Sequence, residues 1–75
     1  MQPGATIGPG SIINTRAVVE HDSDIAAGCH LAPGAIVLGN CALGRTSMIG
    51  AGAVVLPGTQ LPDRTLVNSA TRYPN

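Results

Sequence analysis

The sequence predicts an all-β chain wound as a single-stranded parallel β-helix of about four triangular coils, with 18 residues to the coil. Three observations carry this. Stepping by six from Met1 meets Ile7, Ile13, Val19, Ile25, Leu31, Val37, Leu43, Ile49, Val55, Leu61 and Val67, so every sixth residue is a medium-to-large aliphatic. Four places further on in each hexad stand Ala5, Ser11, Ala17, Ser23, Cys29, Ala35, Cys41, Ser47, Ala53, Thr59, Thr65 and Thr71, all small. The composition has ten Gly and six Pro, no Phe or Trp and one Tyr, which suits many short strands joined by tight corners.

A period of six is neither the 3.6 of a helix nor the plain alternation of a strand. Three hexads close a triangle in which the aliphatic points inward and the small residue sits where the wall needs room. In the first coil, the corner residues of Ile7-Gly8-Pro9-Gly10 supply the bend. The second coil is built on Val19, Ile25 and Leu31, with a corner at Leu31-Ala32-Pro33-Gly34. The third uses Val37, Leu43 and Ile49, with Ile49-Gly50-Ala51-Gly52 at its bend, and the fourth uses Val55, Leu61 and Val67.

Residues 18 apart then lie above one another. The interior ladders are Met1/Val19/Val37/Val55, Ile7/Ile25/Leu43/Leu61 and Ile13/Leu31/Ile49/Val67. With coils about 4.8 Å apart, the stack stands roughly 19 Å tall. One repeat domain is expected over 1–72, loosening from about Thr71, with a tail over 73–75. A short stack has open strand edges and few buried residues per coil, so a homo-oligomer is expected, and three-sided prisms pack as trimers.

Four Arg, no Lys and four acids give a formal net charge of zero, which argues against nucleic acid or an anionic membrane surface as main partner. No apolar run approaches the roughly 20 residues of a membrane span and no signal-like start is present, so membrane insertion is not expected and a bacterial-type cytoplasmic location fits. Cys29 and Cys41 fall on small-residue positions of the repeat and read as buried thiols rather than a disulfide.

Chemistry is expected where residues do more than the repeat asks. The segment Arg16-Ala17-Val18-Val19-Glu20-His21-Asp22-Ser23-Asp24 concentrates three of the four acids, a His and an Arg. His21, two places after the inward Val19, should face outward near a corner and lie one coil below Gly39. An imidazole with a reference pKa near 6.5 can take a proton from an amine or hydroxyl at neutral pH. Asp22 beside it could fix its tautomer, and Gly39 leaves room for a thioester carbonyl and offers an N–H to an oxyanion. His30 is also expected outward, next to a corner. Solvated or subunit-stitching histidines are the plain alternative. A metal site is not expected, because His21, His30, Asp22 and Asp24 lack standard ligand spacing. Cys29 turns toward the wall, a poor place for a nucleophile. Asn14, at a corner, reads first as a turn-former and is one of few polar groups toward the His21 side of the coil.

At these residues the chain resembles the bacterial hexapeptide-repeat acyltransferases. The series Ile13-Asn14-Thr15, Val19-Glu20-His21-Asp22, Gly28-Cys29-His30-Leu31-Ala32-Pro33-Gly34-Ala35 and Leu38-Gly39-Asn40 is similar to the sialic-acid O-acetyltransferase and UDP-amino-sugar N-acetyltransferase group. The resemblance implies a left-handed coil, although parallel crossovers are right-handed almost everywhere else. It implies an acetyl-CoA-dependent transfer to an amine or hydroxyl of a sugar or nucleotide sugar, with His21 as general base tuned by Asp22. Asn14 would lie by the acceptor, His30 and the Gly39 amide by the thioester, and Ala51 and Ser69 along the pantetheine and adenosine path between subunits. Members of this group usually carry an N-terminal βαβ-type sugar-nucleotide domain and more coils. The chain is therefore expected to be a fragment, a shortened homologue or a stand-alone repeat unit. Two other functions compete: a non-catalytic β-helix scaffold, and a trimeric carbonic-anhydrase-like enzyme, which would need three His ligands where the chain has two.

Overall fold

A computed structural model describes residues 3–74. Among the described residues, twelve two-residue strands follow one another without a helix: β1 (Thr6–Ile7), β2 (Ile12–Ile13), β3 (Val18–Val19), β4 (Asp24–Ile25), β5 (His30–Leu31), β6 (Ile36–Val37), β7 (Ala42–Leu43), β8 (Met48–Ile49), β9 (Val54–Val55), β10 (Gln60–Leu61), β11 (Leu66–Val67) and β12 (Arg72–Tyr73). They stack into three four-stranded parallel sheets, the faces of a prism: β1-β4-β7-β10, β2-β5-β8-β11 and β3-β6-β9-β12. Register is 18 throughout, as in Ile7↔Ile25, Leu31↔Ile49 and Val37↔Val55. The result is a β-solenoid of about four turns.

The second residue of each strand points inward. Val19, Ile25, Leu31, Val37, Leu43, Ile49, Val55, Leu61 and Val67 are all buried, with Cys29, Ala35, Cys41, Ala53, Ser23 and Ser47 filling the corners of the same core. In the lowest coil cover is incomplete: Ile7 is half-buried and Ile13 is 37 % exposed. The Met1 rung of the predicted ladder lies outside the described residues. At the other end the repeat runs further than expected. Tyr73 pairs with Val55 in the inward register, so the coil continues past Thr71 and takes in the first residue of the expected tail. An aromatic there broke the aliphatic pattern in the sequence but not the backbone pairing.

Each bend falls two and three places after the inward aliphatic, one place later than the Gly8-Pro9 type of pair alone suggested. The third position always has positive φ. Gly4, Gly10, Gly28, Gly34, Gly52 and Gly58 share it with Arg16, Asp22, Asn40, Thr46, Arg64 and Ala70. That conformation turns the N–H of this residue along the axis, where it donates to the carbonyl 19 residues earlier, as from Asn40 to His21 (3.1 Å) and from Thr46 to Ala27 (3.0 Å). The corners are thereby hydrogen-bonded from coil to coil like the strands.

The small residues form a second ladder. Ser23 Oγ donates to Leu38 O at 2.7 Å and accepts the Cys41 N–H at 3.1 Å. Ser11 does the same with Ala26 O and the Cys29 N–H. The thiols continue the donor half: Cys29 Sγ reaches Gly44 O and Cys41 Sγ reaches Leu56 O. Both cysteines are buried and free, as their repeat positions predicted.

Candidate functional site at the solenoid corners

The three corner columns place the predicted residues. Residues 21–22 and 39–40 belong to the corner between the third face and the first face of the next coil. There the backbone turns outward, and a side chain at position 21 has nowhere to go but the surface. The His21 side chain is 56 % exposed and that of Asp22 64 %. His21 Nδ1 lies 3.4 Å from Asp22 Oδ2, a long contact that orients the ring when the proton is on Nδ1. Nε2 then carries the free lone pair.

The other edge of the ring lies on Gly39 in the coil above. A Cβ built on Gly39 would stand 2.7 Å from Nε2 and 2.8 Å from Cε1 of His21. The space over Gly39, expected to admit a thioester carbonyl, is thus occupied in part by the imidazole itself, because a flat ring packs on the one residue that has no side chain. The Gly39 N–H donates to none of the described residues, while its carbonyl accepts from Gly58 at 3.0 Å.

His30 is not at this corner. It opens β5 on the second face, between Ile12 and Met48 in register. It is half-buried, and its Nε2 is enclosed with no hydrogen-bond partner among the described residues. Ile12, Met48 and Leu66, outward on the same face, are 53 %, 46 % and 63 % exposed. His30 therefore interrupts an apolar stripe.

Asn14, Ala51 and Ser69 belong to the corner between the second and third faces, across the whole third face from His21. Asn14 Oδ1 accepts the Thr15 N–H at 2.7 Å, which fits the turn-former reading, and within one chain Asn14 stands a full face away from His21. Ala51 and Ser69 are both exposed, and Ala70 N–H donates to Ala51 O at 2.9 Å, so these two residues occupy successive coils of one column. The structure unites His21, Asp22 and Gly39, and separates them within one chain from His30 and from Asn14, Ala51 and Ser69.

Two features escaped sequence reasoning. Thr6 Oγ1 donates to Asp24 Oδ1 on the first face, tying one acid of the charged segment into the wall. At the remaining corner, Arg45, Thr46, Asp63 and Arg64 line an open depression of about 280 Å³. The signal for the second was available: Arg45 and Arg64 are 19 apart, the spacing of first and second turn residues in consecutive coils.

Fold and corner geometry together define a β-solenoid with an exposed, carboxylate-flanked histidine. The chain matches no protein-family model, no curated protein and no solved structure. Among the described residues, no group of three or more His, Cys, Asp or Glu is placed to hold a metal ion.

Proposed function

We propose that the chain is an acyltransferase that moves an acetyl group from acetyl-CoA to an amine or hydroxyl of a sugar-type acceptor. The observation that supports this reading best is the His21 imidazole, anchored through Nδ1 toward Asp22 and exposed, with Nε2 beside the Gly39 backbone. In the reaction, Nε2 takes the proton of the acceptor N–H or O–H as that atom attacks the thioester carbonyl. The tetrahedral intermediate collapses, the C–S bond breaks, and the proton passes to the departing coenzyme A thiolate. The Gly39 N–H, which donates to none of the described residues, is the donor proposed for the intermediate's oxygen, and the imidazole must leave part of the space over Gly39 for it. No covalent acyl-enzyme is required, and Cys29 and Cys41, both buried, take no part.

The remaining predicted residues enter this reading through assembly. A cyclic interface is heterologous, so two different patches of one chain meet across it. In a homotrimer the corner bearing Ala51 and Ser69 faces the neighbouring protomer's corner bearing His21. The outward apolar residues Ile12, Met48 and Leu66 supply area for such contacts. His30, with Nε2 unpartnered, then lies toward the thioester end of the cleft.

A thiol-release assay with acetyl-CoA and a panel of amino sugars tests the reading, run on the wild type and on His21→Ala. Loss of turnover in the variant is expected, and turnover that survives it overturns the general-base role. A second reading, an assembly module without chemistry, is favoured by the apolar stripe alone, since that stripe serves association whether or not His21 acts. Absence of acetyl-CoA binding at millimolar concentration decides for it.

A further inference from the structure

We propose that the corner formed by Arg45 and Arg64 is an anion site that takes a phosphate group, separate from the His21 corner. It stands or falls independently of acetyl transfer. The depression of about 280 Å³ there is lined by Arg45, Thr46, Asp63 and Arg64. Arg45 is the first turn residue of its coil and Arg64 the second turn residue of the next, so their backbones are adjacent, with Arg64 N–H donating to Arg45 O at 2.7 Å. Among the described residues, no guanidinium has a carboxylate oxygen within 4.0 Å; the one contact of that kind is His21 with Asp22.

The acid at the corner is otherwise engaged. Asp63 Oδ1 accepts the Arg45 backbone N–H at 2.8 Å, holding the carboxylate against the turn rather than between the guanidinium groups. Thr46 is engaged as well, its hydroxyl donating to Arg45 O at 2.7 Å. The rest of the column beneath is Ala27-Gly28 and Pro9-Gly10, which offer the arginines no charge. Two planar cationic forks at an exposed corner, unpaired and on successive coils, suit the several acceptor oxygens of a tetrahedral phosphate. The charge distribution agrees. Arg45, Arg64 and Arg72 with Asp63 make the upper coils net positive, whereas Glu20, Asp22 and Asp24 with Arg16 make the lower coils net negative. A phosphate-bearing ligand is thereby steered to this end of the solenoid.

The test is an NMR titration of the full chain at constant ionic strength with inorganic phosphate, with methyl phosphate, and with sodium chloride as control. Saturable shifts at residues 45–46 and 63–64 are expected with both phosphates and not with chloride. Methyl phosphate equal to or better than inorganic phosphate indicates an esterified ligand, and inorganic phosphate clearly better indicates the free ion; either supports the site. Arg45→Gln and Arg64→Gln should each weaken binding by about ten-fold, the worth of one charge-assisted hydrogen bond. Asp63→Asn keeps the acceptor for the Arg45 N–H and removes a negative charge, so it should tighten binding. Shifts that chloride reproduces, or that survive both arginine substitutions, or an Asp63→Asn variant that binds more weakly, overturn the proposal.

Discussion

Gly39→Ala separates the fold from the chemistry proposed for the His21 corner. The new Cβ would meet Nε2 at 2.7 Å and Cε1 at 2.8 Å, against an ordinary contact of 3.4 Å, so something must move by about 0.7 Å. Gly39 is not among the positive-φ residues, so alanine brings no backbone strain. What yields is the imidazole, the far end of a side chain that is 56 % exposed. Swinging it outward costs no more than a rotamer adjustment, about 1 kcal/mol. Its effect on a proton transfer is much larger, because a misplacement of about 1 Å can lower a rate by about 10²-fold. Gly50→Ala is the counterpart. There the Cβ would stand 2.5 Å from the Ser69 backbone N and 2.8 Å from its Cα, and backbone cannot step aside, so a loss of about 1–3 kcal/mol is expected. The two variants are compared by urea denaturation and by acetyl-CoA thiol release. Gly39→Ala should remain folded and turn over slowly. Full activity in Gly39→Ala, with activity lost in His21→Ala, would refute the claim that the ring works from its place on the glycine.

Other expectations concern the wall and the corners. Thr46 holds φ of +54° with a β-branched side chain, so Thr46→Gly or Thr46→Asn should raise stability by about 1 kcal/mol, seen as a melting temperature about 4–8 °C higher. The reverse change at Gly52, where a Cβ would meet nothing within 4 Å, should lower it through conformation alone, and an unchanged midpoint would count against corner strain. Ser23→Ala removes a buried hydroxyl, yet the freed Cys41 N–H can turn to Leu38 O as Ala35 N–H does to Ala32 O, so the loss should be about 1 kcal/mol rather than 3. Leu66→Asp together with Ile12→Asp should reduce the sedimenting mass of any oligomer without changing the far-ultraviolet spectrum of the fold.

The coil was legible because its physics repeats. Each hexad asks the same of its residues, and the aliphatic and small positions meet that demand without a break from Ile7 to Val67. Tyr73 pairs with Val55 although it breaks the aliphatic pattern, because pairing in a parallel sheet is made by backbone, which residue type reports only indirectly. The left-handed backbone position was half-hidden for a similar reason. Glycine marks it six times, but Asp22, Asn40, Thr46, Arg64 and Ala70 are held there by corner-to-corner hydrogen bonds, a tertiary constraint that overrides local preference, and Arg16 takes the same conformation without one. For the site, vertical neighbours could be read and lateral ones could not. His21 under Gly39 follows from a separation of 18, whereas Asn14 and His21, seven apart in sequence, lie at opposite ends of one face. Proximity in sequence is a poor guide where the chain turns a corner every six residues.

The same geometry decides where such a fold can carry chemistry at all. A two-residue strand gives one side chain to the core and one to the sheet face, and the small residue before it is enclosed by the ladder of hydroxyls, thiols and methyls. The turn residues project outward as well, and each has a fixed neighbour one coil above or below. Side chains of one chain therefore meet within one corner, either along the turn, as His21 with Asp22, or between successive coils, as His21 with Gly39 and Asp63 with the Arg45 backbone. A group at a second corner can join them only from another protomer. Because these residues contribute little to the core, His21→Ala and Arg45→Gln should leave stability within about 0.5 kcal/mol of the wild type. A larger loss at either position, measured by urea denaturation, would mean that these side chains, and not the corner backbone alone, help to hold the coils together.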